Sequence, residues 1–325
     1  MMKSKYKYIA VLLFICCMLS ACQIQPESAV NPASPSVLRI AGGAPSGGYY
    51  LQSTPIASLW DEIPQVDITK VEASIGAFEN LYLMDMGEAD AGLADLYAAH
   101  CAMNGLEPYR HTLAGFKIMA YSTPVTLHLI VRASSDIYTV SDLKGHSLAT
   151  GTPGSATEAE VRSVLELAGV AYNDLIRVDC VGVGASMTEL QDGKVDAVAA
   201  MLMYPDSSVV ETMLNTDIRL LSFSEDEIAM LEEQAPWLEQ STIPGGIYEG
   251  LQEPTQSVSV PCAMWVREGL SDELVYSMTK TLYENIGQLS LTNASFKKWE
   301  LTPDELEEPM LHEGARKFYM EVSMG

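Results

Sequence analysis

Residues 151–157 read GTPGSAT, between the short apolar run Leu148–Thr150 and a segment, Glu158–Ala168, where Val161, Val164, Leu165 and Ala168 recur at helical spacing. A strand, a glycine turn and a helix in that order leave several backbone N–H groups unpaired in the first helical turn, which Ser155 or Thr157 would open. Those groups and the positive end of the helix dipole suit an anion. No lysine follows the second glycine, so the GxxxxGK[ST] pattern of a nucleotide-phosphate loop is missing. From the residues alone this is an anion-binding turn, with an ordinary strand-to-helix connection as the alternative.

Two further turns have the same setting. GGAPSGGYY follows the strand-like Val37–Ala41 and offers Ser46, Gly47, Gly48 and Tyr49. Its Gly-Gly pair suits positive φ, and Ser46 and Tyr49 can hydrogen-bond. SIGAFEN follows the alternating Val66–Ala73 and offers Ser74, Gly76 and Asn80, for which helix capping is the competing explanation. Nothing comparable points to catalysis. The histidines (100, 111, 128, 146, 312) do not cluster, there is no GxSxG or HExxH, and the paired acids Glu232-Glu233 and Glu307-Glu308 read as solvated helix faces. No catalytic residue, metal or cofactor is therefore expected.

The elements that would position these turns alternate along the chain. Strands are expected at Val37–Ala41, Val66–Ala73, Ala91–Ala94, Phe116–Tyr121, Leu127–Arg132, Leu175–Val181, Val195–Leu202, Ile218–Phe223 and Ser257–Arg267. Helices are expected at Leu51–Trp60, across Leu81–Met84 and Tyr97–Met103, at Ser186–Gly193, Ser207–Leu214, Ser224–Leu238 and Asp272–Gln288, and in a last one opening at Thr302. Such alternation predicts an α/β fold with a parallel, doubly wound sheet. Ligands of open α/β sheets bind outside the carboxyl ends of the strands. Two facing lobes would thus make a cleft lined by the glycine turns, with crossing strands near 127–135 and 255–265 as the hinge.

The chain has 325 residues, 48% of them apolar, which suffices for a large core. Its net charge of -24 argues against nucleic acid and anionic lipid as partners, but not against a small anion held by local N–H groups. Lys3, Lys5 and Lys7 precede an apolar run, Ile9–Leu19, that is too short to span a bilayer. Leu19-Ser20-Ala21-Cys22 then resembles a bacterial lipobox, which makes residues 1–21 a signal peptide and Cys22 a lipidated N-terminus. A plain secretory signal is the alternative. The polar, proline-rich residues 22–36 read as a tether from the membrane. The remaining cysteines, Cys101, Cys180 and Cys262, are widely spaced and read as buried thiols.

Seven stretches together resemble the TAXI family of solute receptors for TRAP transporters: RIAGGAPSGGYY, SIGAFENLYLMDMGEADAGLAD, TPVTLHLIVR, DLKGHSLATGTPGSAT, KVDAVAAMLMYP, IPGGIYEG and LHEGARKFY. None is specific alone; their order and spacing are. The resemblance implies a type II periplasmic-binding-protein fold, with one lobe from 37–132 plus 255–325 and the other from 133–254. It implies a monomeric, non-enzymatic receptor on the outer face of the cell membrane, anchored by lipid. Such a receptor binds an amino acid such as glutamate, or a 2-oxoglutarate-like acid, and delivers it to TRAP membrane subunits. By matching motifs, the binding positions are Ser46 to Tyr49, Ser74 to Asn80, Ser155, Ala156 and Thr157, and Met203, Tyr204 and Pro205. The chain departs from the family in Ala77 for serine, Ala156 for glycine, Met203 for glycine and Asp95 for a polar residue, often glutamine. A carboxylate at Asp95 would repel a wholly anionic solute and pair with an ammonium group, which favours an amino acid; the alternative is that Asp95 only caps a helix. Competing functions are a receptor for an ABC importer, and an adhesion or sensing lipoprotein with a vestigial cleft.

Overall fold

A computed structural model describes residues 35–45, 47–235, 237–299 and 310–324. The expected signal peptide, Cys22, nearly all of the expected tether, Ser46 and the helix expected to open at Thr302 lie outside the described residues. Val37–Ala41 (β1) pairs in parallel with Ile68–Glu72 (β2) and Ala91–Asp95 (β3). Each strand delivers its chain to a helix: Gly48–Trp60 (α1) after β1, Ala77–Asp85 (α2) after β2 and Leu96–Asn104 (α3) after β3. A second parallel set comprises Ser147–Ala149 (β5), Ile176–Val178 (β6) and Ala197–Leu202 (β7), followed by Ala156–Leu167 (α4), Gly182–Gln191 (α5) and Ser207–Met213 (α6).

Two long strands join the sets. Phe116–Arg132 (β4) and Thr255–Arg267 (β10) run antiparallel to each other; β10 also pairs with β3, and β4 with β7. Ile218–Leu220 (β8) adds to β4 and Glu239–Ile243 (β9) to β10, giving one sheet with the path β2-β1-β3-β10-β4-β7-β5-β6. The parallel halves follow the expected doubly wound pattern, and the crossing strands fall where the sequence placed them.

β4 is one strand, whereas the sequence reading broke it at Ser122–Thr126. Val125 pairs with Val260 and Ser122 with Cys262, so Thr123 and Pro124 together oppose Pro261. A proline has no N–H for the ladder, and a bulge is where two facing prolines are tolerated. Other differences are local. α5 opens at Gly182 rather than Ser186, and Glu225–Gln234 (α7) stops before Leu238. β9, with its polar sequence EQSTI, gave no strand signal because it lies largely exposed beside β10.

One core fills the first half and takes in Asp272–Thr292 (α8) and Glu313–Met324 (α9), with Trp60, Trp265, Phe116 and Tyr319 at its centre. The second half carries a core on each sheet face, around Leu148, Val161 and Leu231 on one and Met187, Val198 and Val209 on the other. Cys101, Cys180 and Cys262 are buried free thiols. No helix among the described residues is long and apolar enough to cross a membrane.

Candidate ligand-binding site

The parallel strands of both halves end around one cavity of about 330 Å³. From the first half come Gly47, Gly48 and Tyr49 at the start of α1, Gly76 and Ala77 at the start of α2, and Asp95 at the end of β3. From the second come Ser155, Ala156 and Thr157 opening α4, Gly182–Gly184 opening α5, and Met203 and Pro205 after β7. Asn293 and Ser295, beyond α8, complete it. Four helix N-termini of eight residues or more thus point their unpaired first-turn N–H groups toward one space. Gly76 has φ 118°, which a side-chain-bearing residue rarely adopts, so the α2 turn depends on glycine there.

The candidate residues divide. Gly47, Gly48, Tyr49, Gly76, Asp95, Ser155, Ala156, Thr157, Met203 and Pro205 line the cavity. Ser74, Asn80 and Tyr204 do not, and their polar atoms are committed elsewhere. Ser74 Oγ accepts from the N–H of Gly43 at 2.9 Å and of Gly76 at 3.3 Å, and donates to Asn80 Oδ1. Asn80 is wholly buried and donates to the Leu93 carbonyl at 2.7 Å. The pair therefore fixes the two first-half turns from behind. The Tyr204 hydroxyl donates to the Thr242 carbonyl at 3.3 Å, while its ring carries the Lys298 ammonium at 3.5 Å.

Asp95 caps a helix and also lines the cavity. Its Oδ1 accepts from the Ala98 N–H at 2.7 Å, capping α3, and its Oδ2 accepts from the Tyr49 hydroxyl at 3.3 Å while facing the cavity. The Tyr49 hydroxyl also lies 3.3 Å from Cys262 Sγ. Ser155 caps α4 by accepting from Glu158 N at 3.3 Å, and Thr152 Oγ1 accepts from Gly182 N at 3.0 Å, which ties the two second-half turns together. Burial pushes the Asp95 carboxyl above the usual carboxylate range against its hydrogen bonds, and pushes the Tyr49 phenol well up.

Gln52 and Glu160 are among the lining residues that the sequence reading missed. Gln52, wholly buried in α1, accepts from Trp299 Nε1 at 2.8 Å and donates to Met203 Sδ at 2.6 Å, so it spans the two halves. Glu160 enters from α4 with its carboxyl beside that of Asp95; desolvation, then the charge of Asp95, raise it well above the normal range. A signal for Glu160 existed: it sits one turn before Val164 on the apolar stripe of α4, where an acid is out of place. Among the described residues, no lysine or arginine lines the cavity. Among the described lining residues, positive potential comes from backbone N–H groups, and the acidic side chains are Asp95, Glu160 and Asp206. Among the described residues no cluster of three or more His, Cys, Asp or Glu could hold a metal.

The model of the NMT1-like family matches residues 40–322. Similar solved structures include the alkanesulfonate-binding protein SsuA from Xanthomonas axonopodis pv. citri bound to MOPS, at 18% identity and TM-score 0.50, covering 89% of this chain and 84% of that one. PhnD1 from Prochlorococcus marinus (MIT 9301) in complex with methylphosphonate is similar at 13% identity and TM-score 0.51, with 82% and 89% covered. The periplasmic binding protein BugD is similar at 14% identity and TM-score 0.53, again with 82% and 89% covered. At these identities the likeness extends to the fold, a mixed α/β binding-protein architecture.

Proposed function

We propose that this chain, which belongs to the NMT1-like family, is an extracytoplasmic receptor that captures a small amino acid and delivers it to a membrane transporter. The observation that carries this reading is the division of charge in the cavity. Helix N-termini from both halves offer N–H groups to a carboxylate, while Asp95 and Glu160 offer acceptors to an ammonium group. A dianionic solute would meet two acids and no basic side chain. The solute touches both halves, so its binding favours the closed arrangement over an open one, with 37–132 plus 255–325 as one lobe, 133–254 as the other, and β4 and β10 as the hinge.

The TRAP partner and the lipid anchor at Cys22 rest on the sequence motifs. An ABC-importer receptor is supported equally by the fold that the chain shares with sulfonate- and phosphonate-binding proteins. Titration calorimetry with L-glutamate, glycine, taurine, 2-oxoglutarate and methylphosphonate tests the solute class. Binding of an amine-bearing acid with no binding of 2-oxoglutarate or methylphosphonate supports the reading; tight 2-oxoglutarate binding without any amine-bearing solute defeats it. Uptake into vesicles holding the transporter separates a sodium-gradient-driven TRAP partner from an ATP-driven one.

A further inference from the structure

Asp95 and Glu160 come from opposite halves of the sheet and meet on the cavity wall. Each is only 2% exposed, and the two carboxyls lie close enough that each shifts the other's titration. Two neighbouring carboxyls out of water, with no cation between them, do not both ionise, so one keeps its proton. The second oxygen of Glu160, Oε1, is buried and has no hydrogen-bond partner. A buried acceptor left without a donor is costly, and this one belongs to a residue that lines the cavity.

Among the described residues, the surroundings supply no cation to balance the pair. α1 contributes the Tyr49 phenol and β10 the Cys262 thiol, α3 contributes Tyr97 and Cys101, and the loop after α3 contributes Tyr109. Each of these is a neutral group that burial keeps protonated. Arg162, on α4, acts on the Tyr97 phenol and lies 6.0 Å from the Tyr172 ring.

We infer that Asp95 and Glu160 together form the ammonium subsite of the cleft, and that the proton held between them leaves as the ammonium group enters. This rests on the amino-acid reading above. The exchange balances: a singly protonated pair of charge minus one accepts an ammonium and releases one proton, leaving two carboxylates that share the cation. Glu160 Oε1 gains its missing donor. Because the two carboxyls sit on different halves, the ammonium also links those halves, and solute capture becomes proton-linked.

Calorimetry of L-glutamate, glycine and taurine in phosphate and in Tris, from pH 6 to 8, gives the proton count from the difference in heats. One proton is released per solute bound, and affinity rises about tenfold per pH unit. In Glu160→Gln the release falls to zero and the affinity becomes flat with pH; Asp95→Asn, in which asparagine still caps α3, weakens amine binding and guards against misfolding of the first variant. Infrared difference spectroscopy of the ligand-free protein shows a protonated carboxyl band that Glu160→Gln lacks and that an amine solute erases. The inference is overturned if an amine solute binds with no proton release, if no amine solute binds, or if the band survives binding. Binding of 2-oxoglutarate or methylphosphonate alone defeats the amino-acid reading as well, whereas amine binding without proton release leaves that reading standing.

Discussion

His128 shows how a residue outside the cavity sets the behaviour of the molecule. It is fully buried on β4, with Nδ1 2.9 Å from the Thr126 carbonyl and Nε2 3.0 Å from the Tyr248 hydroxyl. Tyr248 in turn accepts from the Asp206 N–H at 3.1 Å, and Asp206 caps α6 at the cavity edge. The arrangement fits one neutral tautomer: Nδ1–H donates to the carbonyl and Nε2 accepts from the hydroxyl. Burial pushes the His128 pKa down to about 4. The unfolded chain, with an ordinary imidazole near 6.5, therefore binds more protons in between, and stability is lost as pH falls from about 6.5 to about 4. The full effect is about 3 kcal/mol. Asp95 and Glu160 act in the opposite sense, because their folded-state values are raised: their contribution falls as pH rises from their unfolded values through the folded ones. Urea midpoints measured from pH 4 to 8 should pass through a maximum, and Glu160→Gln should flatten the alkaline side only. A midpoint that is constant from pH 6.5 to 4 contradicts the neutral, buried imidazole.

At the scale of elements, the strand–turn–helix unit is what the sequence conveyed best. Val161, Val164 and Leu165 announced α4, and all three are buried. Ser155 was named as a possible helix opener and is the N-cap of α4. Replacing it with alanine should cost about 1 kcal/mol in urea unfolding, as the Glu158 N–H loses its side-chain acceptor. An unchanged unfolding free energy would mean that water caps the helix equally well. What the sequence hid is equally physical. Ser74 and Asn80 have the types and turn positions of ligand contacts, yet whether a polar atom faces a cavity or the turn behind it depends on contacts such as Asn80 to Leu93, which join residues on different elements. β9 and the continuity of β4 were invisible because both are set by pairing with β10, a partner distant in the chain. Glu160 was overlooked because an acid on a helix is read as exposed unless its stripe is traced residue by residue.

For the whole molecule, the question is how the halves communicate. They share β4 and β10, and also meet through side chains at the cleft. Gln52 on α1 reaches Met203 beyond β7, and Lys298 of the first half covers the Tyr204 ring of the second. Tyr49, Leu96 and Tyr97 pack against the cores of both. Trp237, between α7 and β9, stacks on His100 at 5.3 Å and contacts Tyr97 at 5.4 Å, both on α3 of the other half. The remaining tryptophans, Trp60, Trp265 and Trp299, are buried within the first half. Trp237 is thus the tryptophan whose surroundings change if the halves move about β4 and β10. Opening would lift its ring off α3 and expose it to water; closure would return it to the stack. Adding a bound solute to the ligand-free protein should therefore shift the tryptophan emission to shorter wavelength, and Trp237→Phe should abolish the shift while solute affinity stays within about threefold, since the ring does not line the cavity. If calorimetry records binding while the Trp237 emission stays fixed, the solute enters a cleft that is already closed, and the crossing strands serve as a rigid spine instead of a hinge.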